Sequence, residues 1–214
     1  MPEGKALVHA AWIGAIAAVI AAVVGGLFTL NGGANLEPTP EPPDLEPNRQ
    51  SFDPVPLETL FVPSGWMGDG EEGAEHLEVN DAAVTLEGVP GVATRIAYRP
   101  GLKGWAGVYW QHPDGNWGQR PGKDLTGASS ISFLARGERG GEIVEFKSGG
   151  IKGEYPDTHE VSTGKIALSQ DWRHIEIDVS HRDLSNVVGA LAWIAAAPRD
   201  GEPIIVYLAR LTIK

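Results

Sequence analysis

From Leu57 to the C-terminus, apolar residues come in short runs whose members alternate with polar ones, and glycine, asparagine, aspartate or proline breaks each run. Side chains point to opposite faces along a strand, so alternation of this kind describes strands with one buried side. The runs Ala83 to Leu86, Ala93 to Arg99, Ala106 to Gln111, Ser130 to Arg136, Glu142 to Lys147, Arg173 to Val179, Ala190 to Ala195 and Pro203 to Ile213 read as strands. No long amphipathic helix separates them, which favours an all-β sandwich of two antiparallel sheets over an alternating α/β design. A single helical turn is expected over Asp183 to Val188, and the glycine-rich RGERGGE segment is read as a tight hairpin needing positive φ.

Parity assigns the faces. Ile131, Phe133 and Ala135 form the apolar set of one strand and Val144 and Phe146 that of the next, with Arg136, Glu145 and Lys147 on the outer side. In WAGVYWQ, Val108 and Trp110 take the core parity, leaving Trp105, Tyr109 and Gln111 outward. Ile175, Ile177 and Val179 alternate with His174, Glu176 and Asp178, which describes a strand with one solvated side. Trp172 and Trp193 read as core fillers, because large aromatics within or beside apolar runs usually pack inside.

The N-terminus obeys a different rule. Ala10 to Leu30 is free of ionisable side chains, and its length matches the roughly 20 residues that span a bilayer core. It lacks the polar stripe of a buried soluble helix, so residues 1–30 read as a membrane anchor. Lys5 precedes the span and Glu37, Glu41, Asp44 and Glu46 follow it, which favours a cytoplasmic N-terminus and an extracytoplasmic C-terminal domain. The competing reading is a cleaved signal peptide ending near Gly33 or Ala34. Residues 31–56 are dense in proline and acid, a composition that forms an extended linker and no core. Residues 57–214 then make up one β domain.

Charge and composition exclude several functions. The formal net charge of -11 among 214 residues argues against a nucleic-acid partner, since that binding rests on Lys and Arg displacing counterions. The absence of cysteine rules out disulfides and thiolate metal sites. Histidines lack zinc spacing, no G-x-S-x-G elbow is present, and Gly118 to Lys123 is too short for a phosphate loop, with Asp124 where Ser or Thr is needed. Glu138, Glu142 and Glu145 raise a glycosidase reading, in which two carboxyls flank the scissile bond. Their place in or beside a glycine-rich turn fits solvated charges better.

The blocks FVPSGWMGDG (Phe61 to Gly70), GWAGVYWQHPDGNWG (Gly104 to Gly118), DLTGASSISFLARGERGGEIVEFKSGG (Asp124 to Gly150) and PIIVYLARLTIK (Pro203 to Lys214) resemble bacterial carbohydrate-binding-module-like domains with a galactose-binding-domain-like jelly roll. The resemblance implies a non-catalytic, antiparallel jelly-roll β-sandwich that takes a polysaccharide or oligosaccharide and needs no cofactor. Sugar rings have apolar faces and hydroxyl edges, so they call for aromatic platforms beside a few fixed polar groups. Trp105, Tyr109 and Trp117 are the candidate platforms. Gln111, Arg136, Glu145 and Lys147 are the candidate polar edge, with Glu145 pairing with Arg136 across neighbouring strands. Related jelly rolls often place a calcium-holding aspartate in the last strand, whereas here Ala209 and Arg210 follow Tyr207 and Leu208, and the scattered Asp69, Glu71, Glu72 and Asp157 form no calcium loop. No metal is expected. The alternative function is a structural or protein-interaction sandwich of the cell envelope, because exposed aromatics also anchor protein interfaces.

Overall fold

The computed structural model describes residues 52–214, so the expected membrane span and nearly all of the linker lie outside the described residues. Eleven strands form two antiparallel sheets. The first sheet contains β3 (Leu77–Leu86), β4 (Val89–Tyr98), β11 (Ile204–Ile213), β6 (Ser130–Gly137) and β9 (Arg173–Asp178) in that order, with β1 (Val55–Pro56) also paired to β11. The second runs β2 (Val62–Gly68), β5 (Trp105–Gln111), β10 (Gly189–Ala196), β7 (Ile143–Gly149) and β8 (Glu160–Ala167). From β5 onward the chain crosses repeatedly between the sheets. Each crossing adds inner-face residues to one shared core.

The inner faces are the parity sets expected from the sequence. Val108, Trp110, Phe133, Val144, Phe146 and Ile177 are buried together, and the rings of Phe133 and Phe146 meet edge-on across the sheets at 4.8 Å. Trp193 lies fully buried among them. Trp172 does not: it is half-buried on the outer face of the first sheet, packed near Leu134 and Tyr207, and its indole N–H donates to the Thr85 carbonyl at 3.0 Å. Parity explains the difference. Trp172 has the outward parity of His174, where the strand carrying Thr85 supplies an acceptor for its indole, whereas Trp193 has the inward parity of Val108 and Phe146 and its indole N–H is buried without a partner among the described residues.

Three local expectations change. RGERGGE is not a hairpin, because β6 and β7 belong to different sheets and the segment bridges them. Gly140 and Gly141 do take positive φ, and Arg139 N–H donates to the buried Glu142 carboxylate at 2.7 Å, so the turn chemistry is right while its destination is not. Asp183 to Val188 forms no helical turn; Val187 instead makes a bridge to Lys123. Strands β2 and β8 escape the sequence pattern for a common reason. Both are edge strands, where proline, glycine and charge are tolerated because one side of the ladder is unpaired, as with Pro63 and Gly65 in β2 and Gly164 and Lys165 in β8.

The approach to β5 is organised by one carboxylate. Asp69 is fully buried and accepts hydrogen bonds from the Tyr98 hydroxyl (2.8 Å) and the backbone N–H groups of Gly101 (2.9 Å) and Lys103 (2.7 Å). Burial works to raise its pKa, but these donors and the nearby His76 outweigh it and hold the carboxyl below its ordinary value. A group depressed in the folded state contributes stability above the ordinary carboxylate pKa of about 4, and that contribution is lost as pH falls through the folded value. Asp69→Asn is expected to cost about 2–3 kcal/mol in urea denaturation at pH 7, since it sets an amide against buried donors. The gap between variant and wild type should close at low pH; a gap constant from pH 7 to pH 3 would show that the charge is not what holds the loop.

Candidate functional site

The outer face of the second sheet is built from the polar-parity positions of its strands. Register places Gly65, Tyr109, Ala192, Lys147 and Ser162 in one row and Met67, Gly107, Ile194, Glu145 and Lys165 in the next. Trp105 stands at one end of β5, opposite Ala196. Four residues farther along the strand, about 13 Å at strand rise, Tyr109 meets Trp117 in an edge-on contact with ring centroids 6.1 Å apart.

Trp117 is held by its neighbours. The buried Asn116 side chain accepts from the N–H groups of Gly118, Gln119 and Arg120 and donates to the carbonyls of His112 and Arg120, closing the loop around the indole. Gly118 has φ 84°, and a Cβ there would lie 2.4 Å from the Lys152 carbonyl oxygen, so only glycine lets this loop dock on the β7–β8 connection. That connection is fixed by buried Asp157, whose carboxylate accepts from Ile151 N–H at 2.8 Å and from the N–H groups of Val188 and Gly189. Burial pushes the Asp157 carboxyl above its ordinary value against the pull of those donors. The same connection brings Tyr155 beside the loop, its N–H donating to the Gly118 carbonyl at 2.9 Å.

At the other end, Trp105 lines a cleft of about 870 Å³ with Ile143, Glu145, Lys165 and Ile194, closed by the β6–β7 and β10–β11 connections. Trp105 and Trp117 are 39% and 37% exposed, so each presents a ring to solvent from a backbone that the fold holds in place. Two and three strands from β5, on β7 and β8, the polar groups form cross-strand pairs: Ser162 donates to Glu145 at 2.6 Å, and Lys147 bonds to Glu160. Such an arrangement can stack apolar ring faces at two points and offer a carboxylate and an ammonium to hydroxyls beside them.

Of the residues singled out in the sequence, Trp105, Trp117, Glu145 and Lys147 share this accessible face. Tyr109 has the same parity but is only 6% exposed, because Ile151, Val188 and Ala192 pack around it and its hydroxyl donates to the Gly149 carbonyl at 2.9 Å. Burial, reinforced by Asp157, Glu160 and Glu145, raises its pKa well above the usual phenol range. Gln111 is fully buried, accepting from the Ser64 hydroxyl at 3.0 Å under Gly65. Arg136 lies on the other sheet. It pairs in register with Tyr207, and β6 and β7 are not neighbours, so the expected contact between Arg136 and Glu145 does not form. Tyr155 and Lys165, both exposed on or beside the face, were missed: Tyr155 sits in a loop, and Lys165 in an edge strand without alternation. The NWG triplet was the one available signal for a side-chain-capped loop carrying an aromatic.

No protein-family model matches the chain, and no curated protein matches it significantly. The solved structures similar to this domain include carbohydrate-binding modules, as the resemblance in the sequence implies. A family 30 carbohydrate-binding module is 20% identical, with 76% of this chain and 98% of that one covered and a TM-score of 0.49. A family 11 module of a Clostridium thermocellum cellulosomal cellulase is 17% identical, with coverage of 75% and 92% and a TM-score of 0.46. A family 29 module from Piromyces equi is 12% identical, with coverage of 75% and 89% and a TM-score of 0.35.

Because Tyr109 is a buried support for Trp117, its truncation is a stability change. Tyr109→Ala should destabilise the domain by about 3–5 kcal/mol, as the loss of a large buried ring does, while Tyr109→Phe should cost about 1 kcal/mol for the lost hydrogen bond. Thermal melts of the two variants check this, and a Tyr109→Ala protein melting with wild type would return the ring to the exposed surface.

Proposed function

We propose that this chain is a non-catalytic carbohydrate-binding module in which the outer face of the second sheet takes a polysaccharide or oligosaccharide, and that its N-terminal segment anchors it in a membrane with the β domain outside. The carrying observation is a pair of partly exposed tryptophans, Trp105 at one end of β5 and Trp117 against Tyr109 four residues farther along it, with Glu145 and Lys147 on the same sheet face two strands away. A row of sugar rings offers apolar faces at intervals and hydroxyls along its edges, and this face offers the complement of both. The rings cost little to order. Asn116 and Asp157 fix the loop under Trp117, while Trp105 leaves the end of a paired strand, so binding need not freeze mobile loops. The anchor rests on the uncharged run from Ala10 to Leu30 followed by an acidic, proline-rich stretch.

The test is a glycan array probed with the full-length chain in mild detergent, followed by titration of any positive glycan. Trp105→Ala and Trp117→Ala should each weaken binding about tenfold, in line with about 1–3 kcal/mol for a lost aromatic platform, and should leave the melting temperature within a degree or two. A folded protein blank across the array would turn the face into a protein-interaction surface. Protease added to intact cells should release a soluble β domain cut in the linker; protection until lysis would reverse the orientation.

A further inference from the structure

The opposite outer face, that of the first sheet, holds a second cluster of aromatic and charged side chains that the glycan-binding proposal does not use. Arg136 on β6 packs there against two rings, its guanidinium carbon 4.1 Å from the Tyr207 ring centroid and 5.3 Å from that of Trp172. Tyr207 is its partner in register across β11, and Trp172 is braced by the hydrogen bond from its indole to the Thr85 carbonyl. Both rings lie within cation–π reach of the guanidinium, an interaction that does not consume its N–H donors. Among the described residues, one of those donors finds a protein acceptor, the Gly137 carbonyl at 3.3 Å.

The other cations of the first sheet's outer surface behave differently. Arg95 pairs with Glu78 at 3.5 Å and Arg210 with Glu87 at 3.1 Å, whereas among the described residues no carboxylate lies in ion-pair reach of Arg136. In a chain with a formal net charge of -11, a half-buried arginine without an acidic partner is conspicuous. It also borders open space. A cavity of about 560 Å³ is lined by Arg136, Trp172, Thr85, Gln170 and Asp171, between the end of β3 and the segment entering β9.

We infer that this cavity is a second binding site, separate from the Trp105 and Trp117 face, and that it takes the carboxylate of an acidic sugar. A guanidinium is planar and presents parallel N–H donors that match a carboxylate two for two. Trp172 adds an apolar face for the ring that bears the carboxylate, and Thr85 and Gln170 add polar groups for its hydroxyls. Asp171 lines the same cavity and opposes the ligand's charge, which limits affinity and gives the site a sign that can be tested.

The probe is a trisaccharide of galacturonic acid, with its fully methyl-esterified form as the neutral counterpart, titrated calorimetrically into the full-length chain in mild detergent. The acid form should bind and the ester should bind at least tenfold more weakly. Arg136→Gln should abolish the preference. Arg136→Lys should keep the charge but lose about tenfold, because an ammonium cannot reproduce the flat paired donors. Asp171→Asn should tighten binding of the acid form two- to fivefold without affecting the ester. Trp105→Ala should change none of these values, which separates failure of this site from failure of the glycan-binding face. No binding of the acid trisaccharide to wild type overturns the proposal. So does binding that survives Arg136→Gln and disappears with Trp105→Ala, since the acid sugar would then occupy the other face. If Arg136→Gln fails to fold, the Arg136→Lys and Asp171→Asn titrations decide between the same outcomes.

Discussion

Everything on the surface of this domain follows from the burial of two inner faces against each other. Trp110, Trp193, Phe133 and Phe146 fill the space between the sheets with several aliphatic residues, and removal of that area from water is the main favourable term in folding, at about 25 cal/mol per Å². Strand register cannot slip by one residue without turning this whole set outward. The core therefore dictates which side chains the outer faces carry. Trp105 is presented to solvent because Ala106, Val108 and Trp110 are not.

Parity is necessary for a binding position but not sufficient. Trp105, Tyr109 and Gln111 leave the same side of one strand, yet the connections folded over that side bury the last two and leave the first in the open. The covering segments are held by buried polar side chains whose hydrogen bonds all run to backbone: Asn116 on its own loop, Asp157 on Ile151 and, 31 and 32 residues farther on, Val188 and Gly189. Their role is that of a cap on a helix end. They satisfy backbone donors that burial would otherwise leave without partners, at a penalty of about 1–3 kcal/mol each. The aromatic surface thus stands on a polar foundation, and the mobility usual in loops is removed where it would oppose ligand ordering.

The two outer faces differ in how they treat charge. On the second sheet, Lys147 pairs with Glu160, while Lys165 opposite Glu145 makes no ion pair among the described residues. On the first, Arg95 and Arg210 pair with Glu78 and Glu87, and the Arg136 guanidinium is left to its ring neighbours. Surface ion pairs contribute little to stability, so the difference matters chiefly for what each face offers a ligand: on the first, a cation held by aromatics.

The amino-acid sequence by itself determined the class of fold, the strands with strong alternation and the inner or outer parity of Val108, Trp110, Phe133, Val144 and Phe146, because these depend on a two-residue period that is local to each strand. It did not show β2 and β8, whose edge positions relax the demand for apolar alternation. Which strands lie side by side was decided only by the tertiary structure. Arg136 and Glu145 have outward parity in consecutive strands, and nothing within nine residues of chain tells whether a glycine-rich turn folds back as a hairpin or crosses to the other sheet; here it crosses, and the two side chains end on opposite surfaces. Exposure of the candidate platforms was likewise decided from afar, since the residues that cover Tyr109 and those that leave Trp105 free come from Ile151, Val188 and the β10–β11 connection, distant in the chain and adjacent only after the sheets have packed.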